Sequence, residues 1–175
     1  MKQIEENRKP NSISINAKAR SMTPTNKAWI DKRTRWCSID SKILEIGSRD
    51  INGAPTRRTK YYVGVDRIAG PAVDVRADGH ALPFIDTYFD FCICAETLEH
   101  DTAPWLTARE VYRVSKSGGL IIITVPGIGF PRHDFPSDYW RFTTDGLALL
   151  FQDFEIMECV NDSAERAVRM FAKKC

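Results

Sequence analysis

This sequence predicts an α/β domain whose mostly parallel sheet carries helices on both faces, and three observations support that prediction. Short β-branched runs recur from residue 42 onward and alternate with helical or loop stretches, as in a sheet joined by crossover connections. The run 42–47 ends in Glu45 and Gly47, and a second run ends in Asp66, nineteen positions after Gly47, which is the length of a strand-loop-helix-strand unit. A chain of 175 residues with 43% hydrophobic content is one domain long and apolar enough to build a core.

Residues 1–41 read as a basic leader. Its first 35 positions hold nine Lys or Arg against three acidic side chains, so they carry +6, while the whole chain carries +2 and the remainder −4. A partly disordered, solvated arm is one reading, and a segment that touches nucleic acid or an acidic partner is the other. Within it 26–36 can form an amphipathic helix over the ligand, because Ala28, Trp29 and Ile30 would otherwise be exposed. The domain proper is expected over 42–175.

Strands are expected at 43–47, 61–66, 72–78, 89–94 and 120–125. The link 51–60 is too short and too rich in Gly, Pro and Arg for a long helix, which marks an abbreviated unit. A helix over 103–115 has Asp101 or Thr102 as cap, Pro104 in its first turn and Gly118-Gly119 as stop. Thr143 or Thr144 caps another through about 151, and 154–160 reads as a sixth strand. The tail 163–175 suits either a helix over 164–172 or a closing antiparallel strand over 168–173, and the strand is preferred. The fold is expected to be short or abbreviated at its C-terminal end.

The unit at 42–66 is built to hold a nucleoside. Glycine lets backbone approach a ligand, and an aspartate at the next strand tip can accept from both ribose hydroxyls. A dinucleotide needs G-x-G-x-x-G to seat its pyrophosphate, but the loop Gly47-Ser48-Arg49-Asp50-Ile51-Asn52-Gly53 keeps only one glycine on that frame and adds Asp50. S-adenosylmethionine lacks phosphate and tolerates such a loop. Arg49 then either meets its carboxylate or is a solvated loop residue.

Four ordered segments support a family resemblance: Leu44-Glu45-Ile46-Gly47, Val63-Gly64-Val65-Asp66, Asp78-Gly79-His80-Ala81-Leu82-Pro83-Phe84, and the stretch from Phe89 to Glu96-Thr97-Leu98-Glu99-His100. With 106–126 behind them, the chain resembles a class I S-adenosylmethionine-dependent methyltransferase of the type 11 domain kind, over roughly 42–160. The resemblance implies a single Rossmann-like domain and S-adenosyl-L-methionine as cofactor. It departs from the family where Ser48 and Arg49 replace small residues. By resemblance, Glu45, Gly47, Ser48 and Arg49 lie by the methionyl end, Asp66 and Arg67 by the ribose, and Asp78, Gly79 and His80 by the adenine. Glu96 and Leu98 should face the cofactor from beyond the fourth strand.

Methyl transfer from a sulfonium chiefly needs alignment and a dry site, with a base only if the acceptor loses a proton. The loop 126–143 is the most distinctive stretch outside the cofactor motifs. His133 or Asp138 would be its base, and Tyr139 and Trp140 would shape an acceptor pocket. The alternative is a packed lid with Trp140 and Phe142 in the core and Arg141 paired to a surface acid, and for Trp140 this is preferred. His100 could reach the methyl or cap a helix.

The expected acceptor is a small molecule, and a non-catalytic binding module or subunit is the alternative. Nucleic acid is less favoured, since Ala95-Glu96-Thr97-Leu98 replaces the Asn/Asp-Pro-Pro-aromatic tetrad of amino-methyltransferases. Five cysteines lack metal-ligand spacing, so no metal is expected, and Cys92 and Cys94 read as buried thiols on one strand face. No apolar run approaches membrane-span length, and no signal region opens the chain, which makes the cytoplasm the default location. The oligomeric state is not encoded legibly.

Overall fold

The computed structural model describes residues 23–49, 59–133 and 137–175. The leader before position 23, Asp50, and nearly all of the link 51–60 lie outside the described residues, and so do positions 134–136 of the distinctive loop. The elements run α1 (Pro24–Arg33), a 3-10 turn (Thr34–Trp36), β1 (Lys42–Ile46), β2 (Tyr61–Asp66), β3 (Val75–Arg76) and β4 (Phe89–Ala95). A second 3-10 turn (Leu98–His100), α2 (Pro104–Val114), β5 (Ser115–Pro126), α3 (Thr144–Leu150), β6 (Phe154–Asp162) and β7 (Ala167–Lys174) complete them.

One seven-stranded sheet holds these elements in the order β3-β2-β1-β4-β5-β7-β6. The first five strands pair in parallel, and β7 lies antiparallel between β5 and β6. The tail is therefore the expected closing strand. What is short at the C-terminal end is the helix: α3 has only 7 residues, and a turn joins β6 directly to β7. The strands there are complete.

Alternation along the strands divides the apolar side chains between two faces. Leu44, Ile46, Cys92, Cys94, Ile121, Ile123 and Val125 share one core with Ala108, Val111 and Val114 of α2 and Leu147 of α3. Ile43, Phe91, Ile93, Ala95 and Ile122 form a second core under Ile30 of α1. Cys92 and Cys94 are thus buried free thiols on one face, and burial pushes both above the ordinary thiol pKa, Cys92 to about 12.

Helix α1 is a layer of this domain. Thr23 accepts from Asn26 N–H as its N-cap, and Pro24 occupies the first turn. The boundary expected at 41/42 does not separate the helix from the sheet, and the helix closes the second core.

Three elements differ from expectation for local reasons. The third strand has two residues in place of 72–78, because Ala72 and Asp74 serve as partners to the β1–β2 region: Ser48 Oγ donates to Ala72 O and Gly64 N–H donates to Asp74 Oδ2. Between Phe89↔Ser115 and Phe91↔Leu120 the register jumps, so the predicted glycine stop is a bulge over 116–119, with Gly118 at φ +75. Asp101 is not itself the N-cap of α2, but its Oδ1 accepts from the N–H of the capping residue, Ala103, at 2.8 Å.

Candidate active site

The carboxyl ends of β1 to β4 gather most of the residues expected at the cofactor. At the end of β1, Glu45 is buried and accepts from the Tyr62 hydroxyl of β2. Gly47 has φ +80, and its N–H and that of Ser48 both donate to Val65 O, at 2.8 and 3.2 Å. A Cβ at position 47 would lie 2.0 Å from Thr97 Oγ1. Glycine is therefore required there by the turn after β4. Ser48 is buried with its hydroxyl on Ala72 O, so it ties two loops together, and Arg49 packs against Gly70.

Asp66 Oδ1 accepts from Ile68 N–H at 2.8 Å, an Asx turn that carries the chain out of β2. Next to it a cavity of about 290 Å³ opens among Arg67, Arg76, Ala77 and Asp78. Asp78 Oδ2 lies 3.8 Å from Arg67 Nε, and Asp78 Oδ1 accepts from His80 N–H at 3.0 Å. The His80 ring is held on its other side by Asp101 Oδ1 at 2.5 Å, while Asp101 Oδ2 accepts from Thr107. Gly79 sits tight against Thr107, where a Cβ would come to 2.9 Å. The loop 78–80 is thereby clamped to the start of α2.

Glu96 and Leu98 stand elsewhere than expected. Leu98 is wholly buried in the core shared with α2 and α3, because the 3-10 turn points it inward. Glu96 has φ +50, uncommon for a residue with a side chain, and its Oε1 accepts from Asn26 Nδ2 of α1 at 2.9 Å. Burial raises its pKa. Arg169 of β7 completes this group, with Nε donating to Asn26 Oδ1 at 2.5 Å and Nη1 paired to Asp162 at 2.8 Å. Neither Asn26 nor Arg169 stood out in the sequence, since their meeting depends on β7 lying beside β5.

The turn after β4 and the loop after β5 meet. His100 Nδ1 donates to Ser137 O at 3.0 Å, and the two Nε2 atoms of His100 and His133 are 3.0 Å apart. Burial lowers the His100 pKa, so its ring is neutral near neutral pH. Glu99 is fully buried, and neither of its carboxyl oxygens has a hydrogen-bond partner among the described residues. Burial first, then the charge of Glu96, push its pKa well up.

Asp138 differs in kind. Its side chain is 0% exposed, and it accepts from Arg141 at both oxygens and from His133 N–H. Burial opposes its charge, but these donors outweigh it and bring the pKa down to about 2. A carboxylate so occupied anchors the loop and is a poor proton acceptor. Arg141, expected to meet a surface acid, meets this buried one. Its remaining N–H groups go to Phe130 O, Pro131 O and Trp140 O.

Trp140 is 37% exposed, contrary to its expected place in the core, because Nε1 donates to Asp101 O at 2.6 Å and holds the ring at the surface. Phe142 is buried as expected. Trp105 crosses Trp140 edge-to-face at 6.4 Å, and with the exposed Tyr139 they form an aromatic rim beside the 98–101 turn. Trp105 carried no sequence signal, since at the start of a helix it reads as surface.

Residues 47–123 match the family described as methyltransferase domain. An uncharacterised methyltransferase of Mycobacterium leprae is 35% identical over 80 residues, which is 46% of this chain and 30% of that protein. One from Mycobacterium tuberculosis is 39% identical over 75 residues, 36% of this chain and 30% of that protein. The aligned region thus spans about 30% of the length of these relatives.

Among solved structures, a Burkholderia thailandensis 1,6-didemethyltoxoflavin N1-methyltransferase, holding 1,6-didemethyltoxoflavin and S-adenosylhomocysteine, aligns with TM-score 0.69 at 16% identity. That alignment covers 86% of this chain and 77% of that one. A putative methyltransferase of Bacillus halodurans gives 0.66 at 16% identity, over 86% and 99%. The [4+2]-cyclase SpnF gives 0.67 at 16% identity, over 85% and 79%, so the shared fold does not by itself specify methyl transfer. The match over 47–123, beside the ordered strand-end motifs and the 3-2-1-4-5-7-6 sheet, makes this stretch of the chain similar to the methyltransferase-domain family.

Proposed function

We propose that the chain binds S-adenosylmethionine across the carboxyl ends of β1, β2 and β3 and transfers its methyl group to a small-molecule acceptor held between the aromatic rim and the histidine pair. The family match carries this reading, because it covers the loop that begins at Gly47 and both strands beyond it.

The residues present fit the cofactor. The turn at Gly47 brings backbone close, the cavity beside Asp66 is open at the strand ends, and it is bounded by Arg67, Arg76 and Asp78. Asp66 uses Oδ1 in its turn, and Oδ2 is the oxygen assigned to the ribose. Asp78, braced by His80 and Asp101, is assigned to the adenine edge, and Glu45 to the methionyl end. Ser48 and Gly79 shape these loops by packing, and Leu98 supports them from the core. Glu96 belongs to the wall shared with α1.

When bound, S-adenosylmethionine supplies a methyl group already activated by the sulfonium charge. The chain's own contribution is alignment and exclusion of water. Trp105, Tyr139 and Trp140 offer flat apolar faces suited to a planar or ring-bearing acceptor. His100 and His133 stand where such an acceptor would present its nucleophilic atom, and Arg141 holds the loop that places them. The absence of any helix long and apolar enough to span a membrane, among the described residues, is compatible with an acceptor drawn from water.

Calorimetry with S-adenosylmethionine and S-adenosylhomocysteine tests the reading. Both should bind and raise Tm, and NAD should do neither. Asp66→Ala removes a charged acceptor from the ribose and should weaken binding by about 1.5–3 kcal/mol. Equal binding by parent and variant would remove Asp66 from the site, and no binding to the parent would remove the cofactor.

A further inference from the structure

We propose that Glu99, His100 and His133 form a binding site for a divalent transition-metal cation of the zinc class, set beside the acceptor pocket. The site stands on its own geometry, and only its effect on an acceptor rests on the methyl-transfer reading.

Three donor atoms converge there. His100 Nε2 and His133 Nε2 are 3.0 Å apart, and Glu99 Oε1 lies 3.7 Å from the first and 3.8 Å from the second. The nearest point equidistant from all three, in the plane they define, lies about 2.05 Å from each, within the range of zinc bonds to imidazole nitrogen and carboxylate oxygen. Two imidazoles and one carboxylate are a donor set that zinc and iron(II) accept, with further positions left for water or substrate.

The second observation is the carboxylate itself. Glu99 is 0% exposed, and both its oxygens lack a hydrogen-bond partner among the described residues. A buried, unpartnered carboxyl group is expensive in a folded chain, and one oxygen faces the two imidazoles. A cation on Oε1 would satisfy it.

Ring orientation gives a third. His100 Nδ1 faces the Ser137 carbonyl at 3.0 Å, so Nδ1 bears the hydrogen and Nε2 offers a lone pair. His133 Nδ1 lies 3.1 Å from Asp138 Oδ2, off the line of a good hydrogen bond, and that carboxylate favours a hydrogen on Nδ1 there too. Two lone pairs then face each other at 3.0 Å, and either a proton or a cation must lie between them. Backing of each imidazole by an oxygen acceptor is the usual second layer of a metal site. Arg141 holds Asp138 in that layer at both oxygens.

The sequence hid this site because its spacing is not a motif: His133 is 33 residues from His100 and arrives on a different loop. Tyr139 and Trp140 N–H both donate to Glu99 O, which seats the aromatic rim on the same turn. An ion there would take an oxygen or nitrogen atom of an acceptor beside the cofactor, favouring its deprotonated form without a protein base.

The test uses the full chain, free of any affinity tag and stripped with chelator. Zn²⁺ should bind with one-to-one stoichiometry by calorimetry, and Co²⁺ should give visible absorption that Zn²⁺ displaces. Glu99→Gln and His133→Ala should each weaken Zn²⁺ binding by at least about tenfold with circular dichroism unchanged. His133 is on a half-exposed loop, so its variant decides the matter if Glu99→Gln fails to fold. No saturable Zn²⁺ binding by the parent, or equal binding by His133→Ala, overturns the site, and in that case a proton bridges the histidines. S-adenosylhomocysteine binding on the same samples separates the two readings: its retention without Zn²⁺ binding defeats the metal alone, and Zn²⁺ binding without it defeats the cofactor assignment alone.

Discussion

Gly47→Ala should destabilise the protein even with no ligand present, and the structure gives a magnitude. Position 47 has φ +80, a conformation that costs an alanine roughly 1–2 kcal/mol. The new Cβ would lie 2.0 Å from Thr97 Oγ1 and 2.7 Å from its Cγ2, far inside ordinary contact, so Thr97 must turn away. Its hydroxyl would then leave the carbonyls of Ala95 and Ile46, now at 3.0 and 3.3 Å, at about 0.5–1.5 kcal/mol each. The sum is roughly 2–5 kcal/mol. Thr97→Ala removes the two closest atoms but leaves Cβ at 2.9 Å, so it should relieve only part of the clash. Urea unfolding of parent, both single variants and the double variant reads the effect as a change in midpoint at constant m. The double variant should be less destabilised than the sum of the singles by about 1–2 kcal/mol. Strict additivity, or a Gly47→Ala variant within about 0.5 kcal/mol of parent, would refute the packing argument and leave ligand approach as the reason for the glycine.

Arg141→Lys should destabilise by about 2–3 kcal/mol, because an ammonium cannot span the two Asp138 oxygens and three carbonyls that the guanidinium reaches; an unchanged urea midpoint would contradict this. Arg113 ties α2 to the 82–86 turn through Glu110, Asp86 and the carbonyls of Leu82 and Phe84, so Arg113→Ala should cost about 2–4 kcal/mol by the same assay. The Arg113 guanidinium holds Glu110 below its ordinary pKa, so the folded-state value lies under the unfolded one; the stability this contributes is complete at neutral pH and is lost as pH falls below about 4.5. Glu110→Gln should flatten that part of the stability-against-pH curve, and a slope equal to the parent's would count against the linkage.

The strand-end motifs and the apolar runs that build the sheet are written locally along the chain. β4 and β5 are apolar runs buried on both faces, and the spacing that ends β1 beside Gly47 and β2 at Asp66 is a local property of the chain that the strands show as read. The cap on α3 was legible for the same reason, since Thr143 acts within three residues of itself, whereas α1 was expected from 26 and its cap, Thr23, was not read.

Which side chains meet is set by the assembled fold. Leu98 and Glu96 are two residues apart, yet a left-handed residue and a 3-10 turn send one into the core and the other to α1. Asp138 looked like a base until Arg141 was seen to occupy both its oxygens, and Trp140 looked like core until its indole N–H was seen to reach Asp101 O. The Asn26, Glu96 and Arg169 group spans 143 positions, and the Glu99, His100 and His133 cluster joins the β4 turn to the β5 loop. Such pairings have no period and no spacing rule, because they are set by strand order and by where loops cross, and their energies depend on burial that exists only once the sheet has closed.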